Sequence, residues 1–321
     1  MHALAFDRFG DADVLVYRQL PDPEIPPGTV QIALEAAGLN FADIYRRRGD
    51  YVIAGAPPYI LGYEGAGTVV GLGAGVHDFS LGDRVGFADV PFANATRVNV
   101  PVDHAIPLPP AITCRQAAAV MLQGLTALYL IEDSVKVEAG QTILVHAAAG
   151  GVGQMLVTMC RGRGAQVIGL ASTPEKRAVA LANGASAALG YDDDWVGAVR
   201  QASGGLGVDI AYDSVGSTLP GSLATLRPGG RAVIYGMAGG DPPPIAPRDL
   251  LAGSLSLIGG DLWTYLDSRT ARRERAARLF AAVTSGSLPV PPIEIFPLAD
   301  GAAAHRKLER RQVIGKIILV P

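Results

Sequence analysis

Hydrophobic and polar positions follow two different patterns along this chain of 321 residues. In about the first hundred residues, short apolar or alternating segments are separated by turns rich in glycine and proline. Many short strands broken by such turns predict a barrel-like or sandwich-like β unit, and Ala42–Arg48 has the pattern of one helix inside it. The clearest predicted strands are Thr29–Ala36, Gly65–Val70 and Arg97–Val100.

After this β-rich part, the pattern changes to apolar strands that alternate with helical segments, which predicts a parallel sheet covered by helices on both faces. The predicted strands are Thr142–His146, Gln166–Ala171, Ala187–Gly190, Val208–Asp213, Arg231–Tyr235 and Leu255–Gly259. The predicted helices are Gln116–Tyr129, Val152–Arg163, Pro174–Asn183, Trp195–Ser203 and Leu219–Leu226. Two further helices and a strand near the carboxy terminus could belong to either unit: Arg269–Ser285, Ala299–Arg310 and Lys316–Val320.

The composition indicates a folded protein that does not bind nucleic acid. Apolar residues make up 49% of the chain and charged residues 18%, whereas disorder needs few apolar residues and a strong net charge. A length of 321 residues favours two domains. The formal net charge is −3 and no long basic run is present, so no phosphate-binding surface for nucleic acid is expected. The arginine-rich stretch Arg269–Arg278 is interpreted as a solvated helix face.

Cysteine usage and the amino terminus indicate a soluble cytoplasmic protein without a membrane partner. The two cysteines, Cys114 and Cys160, are too few for a disulfide framework and suit a reducing compartment. The amino terminus has neither the basic region nor the continuous apolar run of a signal peptide. No stretch is expected to reach the roughly 18 apolar residues that span a bilayer.

A glycine-rich turn is the strongest local signal of function. The predicted strand Thr142–His146 runs into a turn with three glycines, and an apolar helix begins at once. Glycines allow a tight bend and the close approach of a pyrophosphate, while the helix amino terminus offers free N–H groups. The spacing departs from G-x-G-x-x-G, but the surrounding strands and helices supply the context that the motif requires. We predict that a dinucleotide binds at Ala149, Gly150, Gly151, Val152 and Gly153.

The residues after the second strand of this unit favour NADPH over NADH. An NAD-binding protein normally carries an acidic residue here, which accepts hydrogen bonds from the ribose 2′-hydroxyl. This chain has Ser172 instead, followed by Lys176 and Arg177, and a hydroxyl with basic groups can hold a 2′-phosphate. Glu175 is the exception, and its position in the first helical turn is explained by the helix dipole. An exposed helix face is the alternative interpretation of the two basic residues.

Further motifs accompany the glycine turn in a fixed order, and together they resemble a known family. They resemble the zinc-independent quinone oxidoreductases, the zeta-crystallin-like branch of the medium-chain dehydrogenase/reductase superfamily, over essentially the whole chain. The motifs are Gly38–Asp43, Leu61–Gly67, Leu122–Ala127, His146–Gly153, Asp213–Gly216 and Gly315–Pro321.

The resemblance implies an α/β fold with two domains. A GroES-like β-barrel catalytic domain is expected over residues 1–118 and 264–321. A Rossmann domain, with a doubly wound parallel sheet, is expected over residues 119–263. In such enzymes NADPH lies in the cleft between the two domains.

The resemblance also implies roles for individual residues. Asn40 and Asp43 would lie near the nicotinamide, and Gln123 and Thr126 would contact the adjoining ribose and phosphate. Lys176 would hold the phosphate of the adenine ribose together with Ser172. Further cofactor contacts are expected from Tyr191, Gly236 and Lys316. Tyr191 matches the family's Asn-Tyr position, although Gly190 precedes it here in place of asparagine.

The positions that bind zinc in related alcohol dehydrogenases carry other residues here. Asn40 stands where those enzymes have cysteine, and Gly62-Tyr63-Glu64 replaces Gly-His-Glu. We therefore expect no metal and an acceptor that is electrophilic on its own, such as a quinone, because no Lewis acid would activate an alcohol. Hydride transfer would depend on alignment and on exclusion of water. Tyr45 and Tyr51 are the candidates to line the acceptor pocket, although a role in packing is an equal alternative.

Two other functions stay open from the sequence. The chain could be a zinc-free reductase of enals, enones or an enoyl thioester, with the same fold, cofactor and hydride step. It could also be a non-catalytic NADPH-binding protein, because a fold does not determine a function. A homodimer is expected through the apolar segment Leu255–Gly259, the predicted edge of the parallel sheet.

Overall fold

The computed structural model describes residues 1–321, which divide into two compact units. The first unit comprises Met1–Leu125 and Leu266–Pro321, and the second comprises Thr126–Tyr265. The strands, in chain order, are β1 (His2–Phe6), β2 (Val16–Gln19), β3 (Thr29–Gly38), β4 (Tyr59–Ile60), β5 (Glu64–Leu72), β6 (Arg84–Ala88), β7 (Arg97–Pro101), β8 (Ile106–Pro107), β9 (Thr142–Val145), β10 (Gln166–Leu170), β11 (Ala187–Leu189), β12 (Val208–Asp213), β13 (Leu226–Ile234), β14 (Ser256–Gly259), β15 (Ile293–Pro297) and β16 (Lys316–Val320).

Nine α-helices join these strands, and short 3-10 turns lie between some of them. The helices are α1 (Phe41–Arg48), α2 (Cys114–Tyr129), α3 (Gly151–Gly162), α4 (Pro174–Ala182), α5 (Trp195–Ala202), α6 (Leu219–Thr225), α7 (Pro247–Leu251), α8 (Arg269–Thr284) and α9 (Gly301–Glu309). A π-helical turn, Leu130–Ser134, continues α2.

The first unit is built on a seven-stranded sheet with the order β15-β16-β3-β5-β6-β8, to which β7 adds by pairing with β3. The carboxy-terminal strand β16 pairs antiparallel with β3, so the end of the chain completes this sheet. The strand β5 also runs antiparallel to β3. The end of β3 therefore meets the starts of both β5 and β16. This register brings together residues that are far apart in sequence.

Alternating side chains of these strands form the core of the first unit. Strand β3 buries Val30 and Ile32, and β6 buries Val85 and Phe87 in the same cluster. This is the pattern expected of a sheet that faces a hydrophobic interior on one side. The fold is the GroES-like barrel expected from the family resemblance.

The second unit is a six-stranded, fully parallel sheet with the order β11-β10-β9-β12-β13-β14. Numbered within the unit, this is the order 3-2-1-4-5-6 of the Rossmann fold. In folds with this strand order, ligands bind where the order reverses, which here is at the carboxyl ends of β9 and β12. Helices α3 and α4 pack against β10 beside this edge.

One helix has the length and composition of a membrane span, but it is mostly buried inside the protein. The helical segment Cys114–Ser134 has 21 residues and a mean hydropathy of 1.2 over its most apolar window, so by length and composition it could cross a membrane. However, 72% of that window is buried inside the protein, and the core helix of a soluble protein passes the same test. The other predicted helices and strands lie within two residues of their expected bounds, except β13, which begins at Leu226.

The interpretation of Arg269–Arg278 as a solvated face is wrong in part. Arg272 is buried, and its guanidinium lies 3.8 Å from the carboxylate of Asp89. The guanidinium of Arg273 lies over the ring of Phe79 at 5.5 Å. Helix α8 therefore packs part of its basic face against other residues of the first unit, because the long aliphatic parts of arginine side chains cover apolar surface.

Candidate functional site

A buried polar cluster lies in the first unit where the end of β3 meets the starts of β5 and β16. The ammonium of Lys316 donates to the Glu64 carboxylate at 2.7 Å and to the Asn40 side-chain oxygen at 2.8 Å. The Asn40 amide nitrogen donates to the same carboxylate at 3.2 Å. The second oxygen of Glu64 accepts from the backbone N–H of Leu122 at 2.6 Å. The side chains of Lys316 and Glu64 are fully buried, so each supplies the partner that the other charge needs.

The structure thus joins two predicted site residues, Asn40 and Lys316, through one that the sequence analysis did not select, Glu64. The sequence does contain a signal for Glu64. It is a charged residue at the start of an apolar strand, and a buried charge requires a partner. Gly38 leaves space for the Glu64 carboxylate, because a Cβ at this position would overlap it.

Asp43 holds the start of α1 in place. Its carboxylate accepts from the backbone N–H of Asn40 at 2.9 Å and from that of Gly62 at 3.2 Å. Burial raises the pKa of Asp43, while nearby Arg46 acts against this rise. The carboxylate therefore connects the predicted nicotinamide side of the unit, at Asn40, to the loop before β5.

The two tyrosines predicted to line an acceptor pocket occupy different surroundings. Tyr45 lies within α1, half-buried, with its ring 6.3 Å from that of Phe41. Tyr51 follows the helix and is 42% exposed. Its ring lies over the guanidinium of Arg46 at 4.9 Å, and Tyr63 covers the same guanidinium at 3.7 Å. Tyr51 therefore packs against a cation that the sequence analysis did not identify.

In the second unit, the glycine turn connects β9 to α3 as predicted. Gly150 is the N-cap residue of α3, and no side chain caps the helix. The first N–H groups of a helix have no intrahelical acceptor, so Gly151, Val152 and Gly153 offer donors at this end. A Cβ at Gly153 would overlap the carbonyl oxygen of Ala147, which shows why the helix and the turn approach so closely. These features fit a pyrophosphate.

A buried hydrogen-bond network supports this turn from behind. The Tyr191 hydroxyl accepts from the backbone N–H of Ala147 at 3.0 Å and lies 3.4 Å from His146 Nδ1. His146 Nε2 lies 2.9 Å from the Ser222 hydroxyl, which donates to Asp213 at 2.7 Å. Burial lowers the pKa of His146 to about 4, so the ring is neutral at pH 7. Tyr191 thus holds the glycine turn itself, which its predicted role did not include.

Ser172 and Lys176 lie beyond the carboxyl end of β10, on either side of the helix start. Ser172 is exposed and Lys176 is half-buried. Thr173 is the N-cap of α4, and its hydroxyl accepts from the Lys176 N–H at 3.3 Å. Hydrogen bonds from its own backbone and from Thr173 lower the pKa of Glu175, as the first-turn interpretation of this residue expects. No acidic side chain occupies the position of Ser172.

The remaining predicted cofactor contacts are Gly236, Gln123 and Thr126. Gly236 follows β13, where a Cβ would lie 3.1 Å from the carbonyl oxygen of Ser214, after β12. The side-chain oxygen of Gln123 is buried without a hydrogen-bond partner, which marks it as open to a ligand donor. Gln123 and Thr126 both lie on α2.

The residues at the positions that bind zinc in related alcohol dehydrogenases form other hydrogen bonds here. Asn40 is bonded to Lys316, and the hydroxyl of Tyr63 accepts from the backbone N–H of Ala54 at 3.3 Å. No three His, Cys, Asp or Glu side chains form a group that could hold a metal ion. Both cysteines are buried. Burial raises the pKa of Cys114 to about 11 and that of Cys160 to about 12.

Two family models match this chain. Residues 151–280 match the zinc-binding dehydrogenase model and residues 26–110 match the alcohol dehydrogenase GroES-like domain. The chain is 38% identical to a 2-haloacrylate reductase of Burkholderia sp., covering 99% of this chain and 98% of that protein. It is 39% identical to a probable quinone oxidoreductase of Schizosaccharomyces pombe, covering 97% and 94%.

Solved structures agree with these relatives. The structure of Escherichia coli quinone oxidoreductase complexed with NADPH superposes with a TM-score of 0.96 at 34% identity, covering all of both chains. Similarity at this level over the whole length, together with the parallel-sheet unit and the barrel unit, establishes the family. The chain is an oxidoreductase that belongs to the zinc-independent quinone oxidoreductases of the medium-chain dehydrogenase/reductase superfamily.

Proposed function

We propose that this chain uses NADPH to reduce a quinone to the hydroquinone. The observation that carries the cofactor assignment is the glycine turn, whose helix amino terminus presents free N–H groups while Ser172 stands at the end of the neighbouring strand. Its relatives of known structure include a quinone oxidoreductase complexed with NADPH, which supports the same assignment here.

The residues of the second unit would bind the cofactor. The N–H groups of Gly151, Val152 and Gly153 would donate to the pyrophosphate. The Ser172 hydroxyl and the Lys176 ammonium would hold the 2′-phosphate, which an acidic residue would repel. When bound, NADPH supplies a hydride. Further contacts on the cofactor are proposed for Ala149, Gly150, Thr126, Tyr191 and Gly236.

The residues of the first unit would serve the reacting end. Asn40, fixed by Lys316 and Glu64, would present its amide, while Asp43 keeps the start of α1 in position. Gln123, with its unpartnered oxygen, would accept a hydrogen bond from the cofactor ribose. Tyr45 and Tyr51 would orient a flat acceptor or donate to its developing oxyanion.

Quinones fit this site because they accept hydride without a Lewis acid. Asn40 and Tyr63 stand where thiolate and imidazole ligands would be needed for zinc. In this two-electron reduction, the quinone gains a hydride and a proton, and the products are NADP⁺ and the hydroquinone. The proton would come from solvent.

Reduction of an electron-poor alkene is the second candidate. The observation that favours it is the 38% identity to a 2-haloacrylate reductase over nearly the whole of both chains. Fold, cofactor and hydride step would be the same as for a quinone, and only the contacts to the acceptor would differ. Enones, enals and enoyl thioesters fall in the same class.

Side-by-side turnover separates the candidates. NADPH consumption would be followed with 1,4-benzoquinone, 9,10-phenanthrenequinone and an enone, each at several concentrations. We expect the quinones to be reduced with the higher kcat/KM. Reduction of the enone alone would overturn the quinone assignment. Tight NADPH binding with no turnover of any acceptor would instead favour a non-catalytic NADPH-binding protein.

We further propose that the chain is a cytoplasmic homodimer. Strand β14 is the last strand of the parallel sheet, so its outer backbone groups are open to a second copy. Its end residues Ser256 and Gly259 are exposed, and the half-buried Leu257 and Ile258 between them would supply apolar contacts. Light scattering at micromolar concentration would give twice the mass of one chain, and the monomer mass would contradict the proposal.

A further inference from the structure

Arg46, on α1, is a buried residue whose guanidinium lies close to two aromatic rings. Only 4% of the residue is exposed. Its guanidinium faces the ring of Tyr63 at 3.7 Å and the ring of Tyr51 at 4.9 Å. Its Nε donates to the backbone carbonyl of Val52 at 3.0 Å. These cation–π contacts do not use the N–H groups at the edge of the guanidinium, which are free to donate to acceptors.

Those edge groups have no protein acceptor. The two terminal nitrogens of Arg46 form no hydrogen bond or ion pair within the protein, and they are not among the fully buried polar atoms, so they reach solvent. The positive charge of Arg46 acts on the Asp43 carboxylate, whose oxygens already accept from the N–H groups of Asn40 and Gly62. Asp43 and the two rings compensate the charge of Arg46 in part, while its terminal N–H groups keep their capacity to donate hydrogen bonds to a ligand.

The adjacent Arg47 shows what a structural arginine looks like in the same helix. Arg47 is fully buried, and every part of its guanidinium has a partner. It donates to the Gly10 carbonyl at 3.1 Å, forms an ion pair with Glu309, and lies 3.3 Å from His305 Nδ1. Arg46 is 4% exposed, and only its Nε has an acceptor in the protein. Arg47 therefore has the contacts of a residue that stabilises the fold, whereas Arg46 can still donate hydrogen bonds to a ligand.

We infer that Arg46 binds the carboxylate of an acceptor, so the substrate is an electrophilic acceptor that carries a carboxylate. This inference rests on the proposed hydride transfer and names the acceptor class. The planar guanidinium can pair with both oxygens of a carboxylate, and the tyrosine rings hold it in one orientation. Tyr51 is partly exposed and Val52 is 84% exposed, so this edge of the first unit adjoins solvent. Arg46 thus acts as a specificity-determining residue.

The carboxylate would be an anchor and would not react. For an enone acid, the carbon β to the ketone gains a hydride and the α carbon gains a proton from solvent. The carbon–carbon double bond becomes a single bond, and NADPH becomes NADP⁺. A neutral ester of the same acceptor would undergo the same step without the ion pair.

Turnover of a matched pair of acceptors tests the anchor. The probes are 3-benzoylacrylate and its methyl ester, with 1,4-benzoquinone as a neutral third acceptor. We expect the wild type to prefer the acid. The R46Q variant should lose about 10- to 100-fold in kcat/KM for the acid, the usual range for hydrogen bonds to charged groups, and change little for the ester and the quinone. The R48Q variant is the control, because Arg48 is exposed and pairs with Glu309.

A binding measurement that needs no turnover separates this inference from the proposed function. Calorimetry would measure the affinity of 3-benzoylpropionate, the saturated acid, and of its methyl ester for the wild type, R46Q and R46K. Weaker binding of the acid alone in both variants supports the inference, even if no acceptor is reduced and the proposed function fails. Equal affinity of wild type and R46Q for the acid overturns it. Thermal unfolding shows whether R46Q is misfolded. If it is, the test depends on R46K, and unchanged affinity of R46K for the acid overturns the inference.

Discussion

The ammonium of Lys316 and the carboxylate of Glu64 form a fully buried ion pair 2.7 Å apart, although 252 positions separate them along the chain. The pair exists because β16 and β5 both run antiparallel to β3 and begin where β3 ends. Asn40 completes the cluster from the other side, with its oxygen on the ammonium and its nitrogen on the carboxylate.

Breaking this pair should destabilise the first unit strongly. The Lys316→Met variant leaves the Glu64 carboxylate buried without its cation, which typically costs about 3–5 kcal/mol. The double variant K316M/E64Q removes both charges and should recover part of that loss. Urea unfolding at pH 7 measures both. If the double variant is no more stable than K316M, the pair is not the source of the effect.

A methyl group at Gly153 should damage dinucleotide binding without unfolding the protein. The added Cβ of Gly153→Ala would overlap the Ala147 carbonyl oxygen, so the turn must move away from α3. We expect NADPH affinity to fall by about 10-fold or more, since the N–H donors lose their alignment. Gly162→Ala in the same helix is the matched control, because a Cβ there meets nothing within 4 Å. Calorimetry compares the variants, and equal loss in both would refute the prediction.

Charge reversal at Lys176 should affect NADPH and spare NADH. The Lys176→Glu variant places a carboxylate near the proposed 2′-phosphate position, where repulsion should weaken NADPH binding by about 10- to 100-fold. NADH lacks this phosphate, so its affinity should be unchanged or improved. Lys136→Glu, at an exposed lysine of the same unit, controls for the overall change in charge. NADPH affinity that survives in K176E would remove Lys176 from the site.

Acidification should destabilise the fold through its buried neutral histidines. Burial and the neighbouring positive charge of Arg47 lower the pKa of His305 to about 3, against an ordinary value of 6.5. The unfolded chain therefore binds a proton below pH 6.5 that the folded chain does not, and stability is lost as pH falls from 6.5 through 3. The loss per histidine approaches about 1.4 kcal/mol per pH unit in this window.

The conservative variant His305→Gln isolates this contribution. Glutamine can still accept from Arg47, but it takes no proton in the unfolded chain. The free energy of unfolding of H305Q should therefore fall less steeply between pH 6 and pH 4. His146 and Asp43 titrate equally in both proteins, so the difference in slope belongs to His305. Parallel slopes would show that His305 is accessible to protons in the folded state.

Local patterns predicted most of the fold. Val208–Asp213 and Lys316–Val320 have the bounds expected of apolar runs that end at turn residues. The strand predicted at Arg231–Tyr235 instead begins at Leu226, because β13 continues through Pro228-Gly229-Gly230. Its pairing with β12 shifts register between Val208 and Ile210, so an irregularity accommodates residues that usually end a strand.

Only those parts of the candidate site that are formed by consecutive residues could be predicted from the sequence. The glycine turn depends on a few consecutive residues, so its sequence indicates its structure. The cluster of Asn40, Glu64 and Lys316 depends on strand pairing across the whole chain, which no local pattern contains. Arg46 and Arg47 were hidden in a run of three arginines that is typical of an exposed helix end, yet only Arg48 is exposed.

The state of the two thiols has a consequence for a protein that handles electrophiles. Quinones and electron-poor alkenes alkylate thiolates readily, and the thiolate is the reactive form of cysteine. Cys114 and Cys160 are buried with their pKa values raised to about 11 and about 12, so both stay protonated and shielded at neutral pH. The folded chain therefore presents no exposed thiolate to a reactive acceptor, which disfavours covalent adducts at its own cysteines.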